Sequence, residues 1–293
     1  MKILVLGSKG QLGLCLTEEL LHTKYIVNFA SRNEIDVCDF EVARKKISLF
    51  NPDIVINATA YTDVDKAEDD KVTAYLVNQH AVSNLAGACA EIKCWLIHIS
   101  TDYVFDGEST RPYIETDVTN PQCVYGKSKL KGEIAIQASG SKYLIIRTSW
   151  VFSEFGKNFF RSMIRLGSER DRLNIVGDQT GCPTYARDIA KAIVCTLPLL
   201  GPEQESGIYN YAGNKSCSWA EFAKRIFQEA KKVGKMKSTP HVVMITSEEH
   251  FRSAKRPKNS RLDSSRFEAS FGYKASNWEA GISDVLNYQN KRY

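Results

Sequence analysis

KILVLGSKGQLGLCLTEELL, residues 2–21, decides the fold. The run Lys2–Leu6 is apolar after its lysine, as a strand buried on both faces of a parallel sheet should be. Gly7, Gly10 and Gly13 follow in G-x-x-G-x-x-G spacing, and LGLCLTEELL then shows helical periodicity. Glycines at a strand–helix junction permit a tight turn, close approach of a pyrophosphate and packing of helix on strand. The helix start adds backbone N–H groups and a partial positive charge. A glycine-rich turn that binds nothing is the plain alternative, and the place at the first strand–helix junction favours a nucleotide site, with Gly10, Gln11 and Leu12 against the pyrophosphate.

Working outward, short apolar runs recur at 25–30, 53–57, 95–100 and 143–148, separated by helix-like stretches at 40–50, 71–91 and 124–139. Strand and helix in alternation predict an α/β fold, a Rossmann-type doubly wound parallel sheet. Beyond residue 150 the rhythm loosens into helices at 157–168, 184–199 and 218–233, with strands at 173–176, 207–211 and 242–246. The expected division is a nucleotide-binding domain over 1–150 and a smaller C-terminal α/β substrate lobe over 151–293, whose chain is free to cross back to the first domain.

The 293 residues are 43% hydrophobic, enough for a sizeable core, and no apolar run reaches membrane-spanning length. The formal charge of +5 is scattered, which favours phosphorylated ligands over nucleic acid. The N-terminus enters a strand directly and does not read as a signal peptide. The eight cysteines form no C-x-x-C pair and read as reduced packing residues of a cytoplasmic protein, which leaves the Asn214-Lys215-Ser216 glycosylation match without meaning. No ligand cluster points to a metal.

After the second strand come Ser31 and Arg32, with Glu34 later. A carboxylate there serves a ribose hydroxyl and an arginine a 2′-phosphate, so the order leans towards NADPH, with NADH left open. A solvated surface arginine is the other reading. NATAYTDVDKAE follows the third strand at 57–68, and ISTDYVFDG the fourth at 99–107. VYGKSKLKGE, 124–133, then places Tyr125 and Lys129 one helical turn apart. Reduction of a carbonyl by hydride needs a proton for the developing alkoxide. Tyr125 is a candidate donor, Lys129 a cation expected to lower its pKa and to hold a cofactor ribose, and Thr101 a hydroxyl that fixes the substrate oxygen. A half-buried tyrosine beside an exposed lysine is the ordinary alternative.

GSKGQLG at 7–13, NATAYTDVDKAE, STDYVFDG, ETDVTNPQCVYGKSKLKGE at 115–133, RTSWVF at 147–152, DQTGCPT at 178–184 and RPKNSRLD at 256–263 together resemble the extended short-chain dehydrogenase/reductases, and within them the dTDP-4-dehydrorhamnose reductase family. The resemblance covers nearly the whole chain. It implies NADPH- or NADH-dependent reduction of the 4-keto group of a dTDP-linked 6-deoxyhexulose, with Tyr125 as proton donor, Lys129 as its partner and Thr101 orienting the substrate. It further implies cofactor contacts at Gly7, Gly10, Gln11, Leu12, Asp39, Phe40, Ala60, Tyr61 and Thr62, with Arg32 near the adenosine ribose, and sugar contacts at Asp102 and Trp150. The Trp150 indole would offer a flat platform to a sugar ring, against the alternative of a core tryptophan. Val64, Asp65 and Lys66 border the expected pocket. Arg256, Asn259 and Arg261 fit either a diphosphate or interlobe salt bridges. Cys123, where an apolar residue is usual, reads as packing. Some family members form metal-linked dimers, and a homodimer is left open here.

Two other functions remain in view. A related dehydratase would need an acid pair after the threonine, whereas Asp102 is followed by Tyr103; an epimerase of the same superfamily is the companion reading. A non-catalytic subunit like the methionine adenosyltransferase β subunit shares much of this motif set, but need not keep Trp150.

Overall fold

Residues 1–201, 203–250 and 252–288 are described by a computed structural model. Its main sheet has six parallel strands: β1 (Lys2–Leu6), β2 (Ile26–Ala30), β3 (Ile54–Asn57), β4 (Trp95–Thr101), β5 (Lys142–Thr148) and β6 (Gly207–Asn210). Their spatial order is β6–β5–β4–β3–β1–β2. The order reverses between β1 and β3, and such a switch point opens a crevice at the carboxyl ends of the strands.

The apolar runs are buried on both faces because helices cover both. Ile3 and Val5 of β1 share one core with Ile56, Ile97 and Ile146, under α1 (Gln11–Leu20) and α5 (Ala186–Thr196). Leu4 and Leu6 face the opposite core with Val55, Leu96 and Ile145, under α2 (Phe40–Phe50) and α3 (Ala81–Glu91). The alternation follows the two-residue period of a strand. Between β5 and β6 the chain starts a second lobe, sends α5 back onto the sheet and adds β6 beside β5; the greater part of the second lobe's core follows β6.

The second lobe packs Phe152, Phe160, Phe222, Phe227 and Trp278 around α6 (Trp219–Lys232). Its strand candidates pair in parallel, Arg172–Val176 with His241–Ile245. Two-residue strands at Thr180–Gly181, Cys217–Ser218 and Asn259–Ser260 form a further small sheet, too short to leave a period in the sequence. Helices at Ser265–Phe271 and Trp278–Asn287 lie where no helix is expected from the sequence. The helix expected over 71–91 is interrupted at Leu76–His80 by a π-helical turn. All eight cysteines are free thiols. No helix among the described residues is long and apolar enough to cross a membrane.

Candidate active site

The crevice at the strand ends is a cleft of about 600 Å³. One wall is the glycine loop. Gly7 holds φ +82°, a left-handed conformation that favours glycine, and a Cβ on Gly13 would stand 2.1 Å from the Gly7 carbonyl oxygen. The loop therefore turns tightly enough to bring Gly10, Gln11 and Leu12 to the cleft. The start of α1 carries neither an acidic residue nor a side-chain cap, so its first N–H groups suit an anionic phosphate. Ala60 and Thr62, after β3, line the same cleft, with Lys9 and Lys157 among its cations.

The second wall is α4 (Val124–Ala138), which lies against the end of β4. Tyr125, Lys129 and Glu133 recur every fourth residue and all three are buried, so this face of the helix points inward although it is polar. Glu133 explains how. It accepts from Arg147 Nε at 3.0 Å and Nη2 at 2.6 Å and from the Ser100 hydroxyl, which ties the helix to β4 and β5. A bidentate pair closed by a third donor offsets the cost of burying both charges. On the other flank, Asn78 in the π-helical turn bonds the Ser128 hydroxyl at 3.0 Å and both backbone groups of Tyr61. The turn thus couples the loop after β3 to the tyrosine helix, a frequent use of such turns.

Thr101, Asp102, Tyr125 and Lys129 meet at one end of the cleft. Burial pushes the Tyr125 phenol well above its ordinary range, and the Thr101 side chain pulls it partly back. The expected lowering does not emerge: the net shift of the phenol is upward, with burial its largest cause. The Lys129 Nζ is turned into the protein, 2.6 Å from the Ile99 carbonyl oxygen and 3.1 Å from His98 Nε2. Burial brings the Lys129 ammonium down to about 8, against the opposing pull of Glu133. Burial likewise raises the Asp102 carboxyl to about 6, while Ser260 and Thr101 pull it back.

Trp150 closes the lobe side with φ +48°, a conformation uncommon for a bulky residue and sustained only by surrounding contacts. Its ring is stacked on Trp219 at 3.4 Å between centroids, and a Cβ on Gly181 would collide with it. One face of the expected sugar platform is therefore already covered. Trp219, whose Nε1 donates to Gln179 Oε1, is a site residue that the sequence alone does not mark. Asn158 is another addition. It caps the helix Phe159–Glu169 through its carbonyl and donates to Gln11 Oε1 at 2.6 Å, joining the glycine loop to the lobe.

Several expected cofactor residues lie outside the cleft lining. Asp39 spends its carboxylate as the N-cap of α2, accepting from Val42. Phe40 packs against the core beneath α2 and α3. Tyr61 sits behind the loop, its hydroxyl towards Asp70. Arg32 points to solvent and pairs with Asp36, while Glu34 is occupied by the Ser31 N–H and hydroxyl. Of the residues near the expected pocket, Val64 lines the cleft, whereas Asp65 is paired with Arg256 at 2.9 Å. Arg256 thus makes the interlobe salt bridge, and Arg261 bonds Asn259 and the Thr110 carbonyl. Cys123 is buried, and its sulfur caps the start of α4.

The family model for the RmlD substrate binding domain matches residues 1–290. A dTDP-4-dehydrorhamnose reductase from Aggregatibacter actinomycetemcomitans is 39% identical over 290 residues, covering 98% of this chain and 99% of that protein. A crystal structure of a dTDP-4-dehydrorhamnose reductase from Clostridium acetobutylicum superposes with a TM-score of 0.91 at 35% identity, covering 98% of this chain and 99% of that one. The Bacillus anthracis enzyme, solved in complex with NADP, gives 0.90 at 34% identity and covers 97% and 98% of the two chains.

Proposed function

The chain belongs to the dTDP-4-dehydrorhamnose reductase family, and from that premise we propose that it reduces the 4-keto group of dTDP-4-dehydro-6-deoxy-L-mannose to give dTDP-L-rhamnose. It is an NADPH-dependent oxidoreductase of nucleotide-sugar metabolism. NADPH, when bound, supplies the hydride. The reading is carried by one juxtaposition: Tyr125, Thr101 and Lys129 at one end of a cleft whose other wall is the glycine turn at the start of α1. Gly10, Gln11 and Leu12 hold the pyrophosphate with backbone N–H groups, and Lys9 and Lys157 add charge at the same cleft.

Tyr125 gives its phenolic proton to the C4 oxygen as the hydride arrives at carbon. A phenol kept fully protonated by burial is in the correct state to donate. Thr101 shares that oxygen and fixes its position, and Lys129 in its charged form steadies the phenolate left behind. Asp102 and Trp150 contact the sugar, and Arg32, exposed and paired with Asp36, is the candidate partner for a 2′-phosphate. The free thiols fit work in the cytoplasm.

The test is NADPH oxidation against a panel of nucleotide-linked 4-keto-6-deoxy sugars, with the product identified. Consumption with the dTDP-linked substrate and formation of dTDP-L-rhamnose is expected. Absence of oxidation, or formation of a 4-keto sugar from dTDP-glucose with NAD⁺, would overturn the reading.

A further inference from the structure

His98 lies in β4 among apolar neighbours, fully buried, and bonds at both ring nitrogens. Nδ1 is 3.1 Å from Asn57 Nδ2, and Nε2 is 3.1 Å from Lys129 Nζ. The orientation of the Asn57 amide is fixed independently. Its Oδ1 accepts from the backbone N–H of Thr59 at 3.0 Å and from the Thr59 hydroxyl at 2.5 Å. Turning the amide over would set its NH₂ against that backbone N–H, donor against donor. Asn57 therefore presents an N–H to His98 Nδ1, which must accept. A neutral imidazole that accepts at Nδ1 carries its proton on Nε2, facing Lys129.

An ammonium has three donors and no acceptor, so Lys129 in its charged form meets the Nε2–H donor to donor. A neutral amine meets it with its lone pair, while one of its own N–H groups donates to Ile99 oxygen. We infer that Asn57 and His98 form a positioning pair that presents a hydrogen-bond donor to Lys129 and thereby favours its neutral amine over its ammonium.

The surroundings agree. Among the described residues, Tyr125, Asp102 and Tyr103 line the same cleft as Lys129, and Glu133 follows it one turn along the helix. Glu133, which favours the ammonium, is already engaged by Arg147. The neighbouring π-helical turn carries buried Asn78, bound to Ser128, and His80, which is exposed. Burial acts in the same direction as His98, bringing Lys129 to about 8. His98 itself is held well below its usual range by burial and by Lys129, consistent with a neutral ring.

The kinetic consequence of this inference rests on the role given to Lys129 in the proposed reduction, and it is a pH limit. Turnover should fall as pH rises through the Lys129 value, because the ammonium that steadies the phenolate is lost. Tyr125, raised by burial, titrates far above that range.

The direct measurement is the tautomer of His98 in the cofactor-free protein, read by long-range proton–nitrogen NMR on nitrogen-15 histidine-labelled material, with His98→Gln to assign the signal. The Nε2–H tautomer is expected, unchanged between about pH 6 and 9; the Nδ1–H tautomer would overturn the inference. In parallel, Asn57→Asp, whose second carboxylate oxygen draws the ring proton to Nδ1, should turn an accepting Nε2 to the ammonium and move the alkaline limb of kcat/KM up by at least about one pH unit. An alkaline limb unmoved in a folded Asn57→Asp whose ring has switched to the Nδ1–H tautomer would also overturn it. An Nε2–H tautomer in a protein without reductase turnover would sink the proposed function and leave this inference standing.

Discussion

The two sides of the cleft are built on different physical terms. On the sheet side Asn57, His98, Lys129, Glu133 and Arg147 are all less than 4% exposed, and each is bonded within the protein. On the lobe side the connections include an Arg256–Asp65 pair with both side chains about a quarter exposed, a looser Arg252–Asp65 contact, and the Trp150–Trp219 stack. Buried polar networks are rigid and costly to break, whereas exposed ion pairs contribute little and are screened by salt. The groups that handle protons are thus fixed before any ligand arrives, whereas the ion pairs that join the lobe across Asp65 are partly exposed.

Breaking the sheet side should cost most. Arg147→Ala leaves Glu133 buried without its partner and should lose about 3–5 kcal/mol of stability by urea unfolding. A loss below about 1 kcal/mol would erase the contrast. Asp102 lies at the seam between the two sides. Its carboxyl is raised from 3.8 to about 6 in the folded state, so the folded protein favours the protonated form. Stability from this group is full below its unfolded value and is lost as pH rises through about 6. Asp102→Asn should therefore gain up to about 3 kcal/mol at pH 8 and almost nothing at pH 3.5. A gain of equal size at both pH values would contradict the assigned cause.

The lobe side should respond more weakly and in binding. Trp219→Ala removes the support under Trp150 and should raise KM for the sugar nucleotide about tenfold, near the 1.5 kcal/mol of an aromatic pair, with NADPH affinity unchanged. An equal loss of NADPH affinity would show that the stack serves both ligands. Smallest of all, Asp65→Asn should cost less than about 1 kcal/mol, and high salt should abolish the difference in thermal melts.

What the sequence made legible follows the same division. The strands β1, β3, β4 and β5 announce themselves as apolar runs because a doubly covered parallel sheet needs them. Gly10, Gln11, Leu12, Thr101, Asp102, Tyr125 and Lys129 fall where a strand end or helix start puts them, so local spacing locates them. Glu133 also carries a local signal, a third polar residue in the every-fourth-residue series of Tyr125 and Lys129, but spacing alone does not reveal its partner Arg147, which belongs to a different element. His98 is a polar residue flanked by Ile97 and Ile99 in β4, a position that by itself marks no partner. Trp219 lies far along the chain from Trp150, and no spacing links two rings that meet only after both lobes fold. Asp39 and Tyr61 show the opposite limit: their positions in motifs gave no sign that a helix cap and a loop bond had already taken their polar groups.

The central claim is that the phenolic proton of Tyr125 completes the reduction. Its most direct test is single-turnover oxidation of NADPH by Tyr125→Phe with the dTDP-linked 4-keto sugar, beside NADPH binding by the same variant. The account predicts unchanged fold and NADPH affinity and a rate at least about 100-fold lower. Near-normal turnover with Phe at position 125 would contradict it.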